Sequence, residues 1–373
     1  MTDTTRRAIL AGSAAAAAAT IKSAAAQTPA KNNDITVAVN GKYPMAPLRA
    51  DTVRVTAVQS PQKAVDAANP KPGIKANLAR MINEIDAACG YFGTRDLVCF
   101  HEFPLMGWSP WNRADNLKVA IEVPGEECEA LGNKAKQYNC YIAFGTFAKD
   151  KDWPGHVLSL TVLIGPDGKV AAKHWKPYCM RDLRPGYDLY TTGIYEVLPR
   201  YTEMYGADEV LPVARTDIGN LSLSSCPAAV DYNRALALKG VEMFIRTSTG
   251  GFPESDNPSI SLFNRCYTVI VNNSVSEGNP GFVAYAGGGN TAIFGPGGQP
   301  LATAKSMVEE LISANVPLGN HRKGVARPPE FPLEMVLPVY NKYVTRYPAG
   351  MNLDYIPTDN ADANRYYMSK RRW

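Results

Sequence analysis

The chain is expected to fold as an α/β layered domain with a largely covered sheet, and three observations predict it. Short apolar runs rich in β-branched residues alternate with stretches of helical apolar spacing from residue 52 to residue 316. Turns such as Gly165-Pro166-Asp167-Gly168 and Gly295-Pro296-Gly297-Gly298 punctuate that alternation. The run is continuous and without internal repeat, which suits one large or two small globular units.

Taken in order, Thr52 to Ser60 (TVRVTAVQS) alternates like a half-buried strand, and Asn77 to Cys89 has apolar residues at helical spacing. Asp96 to Phe100 (DLVCF) is a short buried strand leading into Glu102. A helix over Glu126 to Gln137 precedes a strand over Cys140 to Phe144, and a strand over His156 to Ile164 leads into the first Gly-Pro-Asp-Gly turn. Strand Leu221 to Ser225 ends at Cys226 and is followed by a helix from about Tyr232 to Lys239 and a strand from Glu242 to Thr247. Helix Ser259 to Arg265, strand Tyr267 to Asn272, strand Thr291 to Phe294 and a last strand over Val308 to Val316 complete the series.

The two ends break this grammar. Residues 1–26 read as an export signal, because Arg6-Arg7 precede the mildly apolar run Ala11 to Ala19 and the small-residue end Ala24-Ala25-Ala26. The expectation is twin-arginine export to the periplasm or the outside; the alternative is an alanine-rich helical or disordered start. Residues 27–50 read as a linker or arm. Residues 318–373, rich in proline and tyrosine, read as a C-terminal extension; such a tail can be disordered, but its aromatic content favours packing on the body or on a partner subunit. No stretch reaches the roughly 18 uninterrupted apolar residues of a membrane span.

Of 39 basic and 35 acidic residues, residues 1–26 hold Arg6, Arg7, Lys22 and Asp3, so the remainder is close to neutral. That balance argues against a nucleic-acid or membrane-surface partner. Seven scattered cysteines without a C-x-x-C pair indicate neither a zinc site nor a disulfide framework. The four histidines, His101, His156, His174 and His321, lack metal-ligand spacing and read as structural or surface residues.

Three residues at predicted strand ends carry chemistry when taken together. Cys226 sits at a strand-to-helix elbow, where a helix N-terminus lowers a thiol's pKa. Glu102 lies among Phe100, Phe103, Leu105 and Trp108, where burial raises a carboxyl toward the range of a general base. Lys176, at the end of a strand, can donate to the oxyanion of a tetrahedral intermediate. A thiol, a carboxylate and an ammonium suit acyl transfer through a thioester. Each alone reads more blandly, as a buried cysteine, a solvated glutamate and a surface lysine.

These segments resemble the nitrilase, or carbon–nitrogen hydrolase, superfamily. DLVCFHEFPLMGW resembles its glutamate motif, GPDGKVAAKHWKPY its lysine motif, and TDIGNLSLSSCPAAVDYNRALALKG its cysteine elbow; TVRVTAVQS and GNTAIFGPGGQPLA resemble its opening strand and closing hairpin. The resemblance covers about residues 52–317 and implies a four-layer αββα sandwich over a domain of residues 51–317. It also implies Glu102 as general base, Lys176 as stabiliser of the tetrahedral intermediate, Cys226 as nucleophile, no metal or cofactor, and subunits that pair into a homo-oligomer.

The chain departs from the family pattern at two places. Pro227 follows the cysteine where the family has a residue whose N–H helps hold the oxyanion, and the loss of one such donor costs about 3 kcal/mol. Asp182 is the candidate for the family's second glutamate, with a surface charge cluster of Arg181, Asp182 and Arg184 as the alternative, inside an insertion-like stretch from Pro177 to Tyr205 that also holds Glu196 and Glu203. Arg246, Thr247 and Ser248 are expected to line the pocket. The activity expected is hydrolysis of a small linear amide or carbamoyl compound. Two alternatives stand beside it: a catalytically impaired binding or assembly protein on the same fold, and a nitrilase acting on a nitrile.

Overall fold

A computed structural model describes residues 34–38, 41–94, 96–179, 190–225, 230–275, 288–324 and 332–373. The export signal, Asp182, Cys226 and Pro227 lie outside the described residues.

Thirteen strands are described: β1 (Val53–Gln59), β2 (Leu97–Phe100), β3 (Ile121–Glu122), β4 (Tyr141–Lys149), β5 (Leu158–Ile164), β6 (Val170–Trp175), β7 (Ala214–Thr216), β8 (Gly219–Ser224), β9 (Met243–Thr247), β10 (Tyr267–Val271), β11 (Ala292–Phe294), β12 (Pro300–Thr303) and β13 (Glu310–Val316). The helices are α1 (Pro70–Asp86), α2 (Arg113–Val119), α3 (Glu126–Tyr138), α4 (Leu198–Tyr205), α5 (Val230–Leu238), α6 (Asp256–Asn264), α7 (Leu318–Lys323), α8 (Leu333–Lys342), α9 (Met351–Asp354) and α10 (Asn360–Lys370). The first sheet runs β13-β1-β2-β4-β5-β6, with β3 on β4, and the second runs β12-β11-β10-β9-β8-β7.

Both sheets share one plan. Parallel strands β1, β2 and β4 form the centre of the first, and β8, β9 and β10 the centre of the second, each flanked by antiparallel strands. Strand β1 was expected to be half-buried, yet six of its seven residues are buried. The pleat explains this: Val53, Val55 and Ala57 face the second sheet, whereas Val58 joins the core beneath the helices. In β2 likewise, Leu97 and Cys99 enter the core between the sheets, and Val98 and Phe100 meet Met81 and Ile85 of α1 and Leu131 of α3. On the outer face of the second sheet, Phe244 packs with Leu236 of α5 and Ile260 of α6. The result is a helix layer, two sheets and a second helix layer, the αββα order.

Boundaries differ where local chemistry overrides periodicity. Helix α1 starts seven residues before Asn77, because Pro70 at its first turn needs no hydrogen-bond partner for its nitrogen. Strand β4 continues five residues past Phe144, through Gly145, a residue that ordinarily weakens strands.

The described segments on either side of these layers pack on the body. Residues 34–38 and 41–50 lie along the second sheet: Thr36 bonds Asp208, Tyr43 bonds Glu242, and the Pro44 carbonyl accepts from Asn220. Leu318 of α7 is buried in the core between the sheets, so the body continues past residue 317. In the extension, Tyr347, Met351, Ala363 and Tyr367 form a small core with Tyr190. No described helix is long and apolar enough to cross a membrane.

Candidate active site

Strand direction brings the candidate residues to one edge. Strand β6 is antiparallel to β5, which is antiparallel to β4, so β6 runs with β2 and ends at the same edge. Glu102 follows β2, Lys176 follows β6, Ser248 follows β9, and β8 runs toward position 226. Carboxyl ends of parallel strands are where α/β sheets bind ligands, because side chains there leave the sheet together.

Lys176 Nζ lies 3.2 Å from Glu102 Oε1, and both residues are buried, at 4% and 6% exposure. In a site that excludes water, an ammonium beside a carboxylate interacts far more strongly than a surface pair. The backbone fixes their geometry. Lys176 N–H donates to the Ser159 carbonyl at 2.8 Å, and Glu102 N–H donates to the Ser248 carbonyl at 3.3 Å, tying the first sheet to the second at the site. Gly145 N–H donates to the His101 carbonyl at 3.0 Å. A Cβ on Gly145 would stand 2.5 Å from Glu102 Cα and closer still to its carbonyl oxygen, so β4 carries glycine where the Glu102 backbone crosses it.

Two histidines flank the pair without taking its place. His174, two residues before Lys176, accepts the Leu223 N–H on Nδ1 at 3.2 Å and so pins β6 to β8 across the sandwich. Burial pushes its pKa down to about 3, which keeps the ring neutral and able to accept. His101 accepts the Phe103 N–H on Nδ1 at 3.2 Å, and burial, with the charge of Arg80, lowers its pKa to about 3. His156 is buried as well and bonds Thr192 at 2.8 Å.

Of the expected site residues, Glu102 and Lys176 come together. Ser248 contributes its carbonyl to the Glu102 backbone, and Thr247 Oγ1 bonds Thr161 Oγ1 between the sheets at 2.9 Å. Arg246 turns to Asp256 at 2.6 Å and Asn257 at 2.9 Å, so two acceptors at the start of α6 hold its guanidinium. Trp108 and Trp175 are buried core residues, and Trp175 stacks edge-on against Trp153 and Tyr201.

Sequence reasoning missed the supporting roles of Gly145, His174 and Glu196. Glu196 is fully buried, and its Oε2 accepts from the Gly193 N–H at 3.0 Å and the Cys179 N–H at 3.2 Å, beside the segment that carries Lys176. A carboxylate at 0% exposure is the signal, and it is visible only in the fold.

Residues 54–323 match the carbon–nitrogen hydrolase family model. The chain belongs to this family, within the nitrilase superfamily. Nitrilase 2 of Arabidopsis thaliana is 27% identical to this chain over 223 residues, covering 54% of the chain and 59% of the relative. A formamidase of Helicobacter acinonychis (strain Sheeba) is 25% identical over 229 residues, covering 58% and 61%. The chain thus spans about three fifths of these curated relatives' length.

Among solved structures, a double mutant of the amidase from Nesterenkonia sp. AN1 in complex with acrylamide superposes with a TM-score of 0.58 at 16% identity, over 79% of this chain and all of that one. A carbon–nitrogen hydrolase from Helicobacter pylori gives 0.60 at 17% identity over the same shares. At these identities the likeness is one of fold, the α/β sandwich.

Proposed function

We propose that this family member hydrolyses the carbon–nitrogen bond of a small linear amide or carbamoyl compound through a thioester on Cys226. The observation that supports this reading is the buried Lys176–Glu102 contact of 3.2 Å, at the edge toward which β8 runs.

In this mechanism Glu102 takes the thiol proton of Cys226, and the thiolate attacks the amide carbonyl carbon. The carbonyl electrons move to oxygen, and the Lys176 ammonium meets the charge that develops there. As the intermediate collapses, Glu102 passes its proton to the leaving nitrogen and ammonia or an amine departs. Water enters, gives a proton to Glu102 and attacks the thioester. The carboxylic acid leaves, and the proton returns to the thiol. The chemistry asks for no metal or organic cofactor. Since Pro227 has no N–H, Lys176 carries a larger share of the oxyanion than a site with a backbone donor would require.

Nitrile hydrolysis is the second reading, motivated by the nitrilases among the curated relatives. Attack on a nitrile develops negative charge on nitrogen, which takes the proton held by Glu102 to give a neutral thioimidate. Product analysis with paired amides and nitriles separates the two readings. Ammonia release from the amides, abolished in Cys226→Ala, is the expected result. Turnover confined to nitriles selects the second reading, and no turnover of either class by the wild type favours a binding protein.

Export is part of the same proposal and rests on Arg6-Arg7. Replacement of both by lysine is expected to leave unprocessed protein inside the cell, and unchanged export contradicts it.

A further inference from the structure

We infer that Glu196 is a positioning residue that fixes Lys176, and that the C-terminal extension braces it from outside. The inference rests on the hydrolase reading above.

Segments 176–179 and 190–195 lie side by side where the chain leaves β6. Ile194 N–H donates to the Lys176 carbonyl at 3.0 Å, and Tyr195 N–H donates to the Pro177 carbonyl at 2.9 Å. Glu196 stands on the single helical turn Tyr195–Val197, and one of its oxygens accepts an N–H from each segment: Cys179 from the outgoing chain and Gly193 from the returning one. Both bonds run to the same side-chain oxygen, so the two segments are bridged at a single point. That oxygen's position joins the segments into one unit.

Gly193 shows how tightly the unit closes. A Cβ there would lie 2.7 Å from Glu196 Oε2, 2.8 Å from the Lys176 carbonyl oxygen and 2.9 Å from Tyr178 Cα. The carboxylate and the lysine backbone therefore meet across a space that admits only glycine. A shift of Glu196 is transmitted to the Lys176 carbonyl, and from there to an ammonium 3.2 Å from Glu102.

The extension holds the other side of the turn. The Tyr195 hydroxyl lies 3.0 Å from Thr345 Oγ1 and 3.0 Å from the Tyr347 carbonyl, and the Tyr195 carbonyl accepts the Gly350 N–H at 2.9 Å. Residues 345–350 thus reach the lysine through Tyr195 and Glu196.

Steady-state kinetics on an amide turned over by the wild type, and not by Cys226→Ala, test the inference. Glu196→Ala is expected to lower kcat about 10- to 100-fold with KM changed by less than about threefold, since a misplaced catalytic group costs rate rather than binding. Glu196→Gln, whose amide oxygen can accept both N–H groups, is expected to recover most of that loss. In a Lys176→Ala background, Glu196→Ala is expected to cost nothing further, because Glu196 acts through that lysine. Glu196→Ala kinetics equal to wild type, or losses that multiply in the double mutant as a general folding defect would give, overturn the inference. If the alanine variant does not fold, Glu196→Asp, one methylene shorter, gives the same test with the same opposing outcomes. A wild type that hydrolyses no amide overturns the amidase reading on which this inference rests, and the inference with it.

Discussion

Glu242 enters β9 at one edge of the sandwich, Glu102 leaves β2 at the other, and each carboxylate is buried beside a cation. Glu242 meets an arginine fork: Arg322 Nε reaches Oε1 at 2.7 Å and Arg322 Nη2 reaches Oε2 at 2.8 Å. Tyr43 adds a hydroxyl to Oε1 at 3.1 Å, and the Asn220 N–H donates to Oε2 at 2.8 Å. Four donors saturate that carboxylate and lock the N-terminal arm, β8, β9 and α7 together. Glu102 faces instead a lysine, a compact charge on a flexible stem that can follow a proton transfer. One edge uses its buried acid to hold the fold, and the other places its acid where strand ends converge.

Substitutions at the two edges should therefore separate activity from stability. The largest effect is expected from Glu102→Gln, which removes the proposed proton acceptor with little change of shape. Amide turnover should fall by about 10²- to 10⁴-fold, measured as kcat, while the unfolding midpoint in urea moves less than it does for the Arg322 variant. Retained turnover breaks the comparison.

Arg322→Ala is expected to do the reverse. It strands a fully buried carboxylate and should cost about 3–5 kcal/mol in urea unfolding, with kcat per folded molecule unchanged. A stable variant that has lost turnover would mean that the two edges do not divide the work in this way.

A smaller, pH-dependent effect is expected at Glu84 on α1. Burial, partly opposed by Arg80 and reinforced by Glu309, raises its pKa from 4.5 to about 8. Arg80 reaches it at 3.7 Å, and Arg80 also lowers the pKa of neutral His101. Because the folded-state value is the higher one, the stability due to Glu84 is fully present below pH 4.5 and is lost as the pH rises toward 8. Glu84→Gln should thus raise Tm relative to wild type at pH 8 and leave it nearly unchanged at pH 4.5. An equal shift at both pH values contradicts the assignment. This third acid sharpens the comparison, since it lacks the donors that saturate Glu242.

Much of this architecture is legible in the sequence because strands buried on both faces read as short apolar runs bounded by turns. DLVCF and the β5–β6 hairpin are examples, and Glu102 and Lys176 could be placed because they directly follow such runs. Helices α2 and α4 were not legible: they are short, and α4 sits in a stretch that resembles an insertion. Gly145, His174 and Glu196 escaped notice for a different reason. Their roles arise from backbone that arrives from elsewhere in the chain, the Glu102 crossing, the Leu223 N–H and the Cys179 N–H. The extension was legible as aromatic and packed, but not as a brace on Tyr195.

The central claim is that the Glu102–Lys176 edge activates Cys226, and thiol reactivity tests it without knowledge of the substrate. Wild type and Glu102→Gln can be treated with limiting iodoacetamide near pH 7, and the alkylation rate at each cysteine followed by peptide mass spectrometry. The account predicts that Cys226 in the wild type reacts much faster than buried Cys266, whose pKa burial raises, and that Glu102→Gln slows Cys226 alone. Alkylation of Cys226 no faster than that of Cys266, or at a rate unaffected by Glu102→Gln, would contradict it.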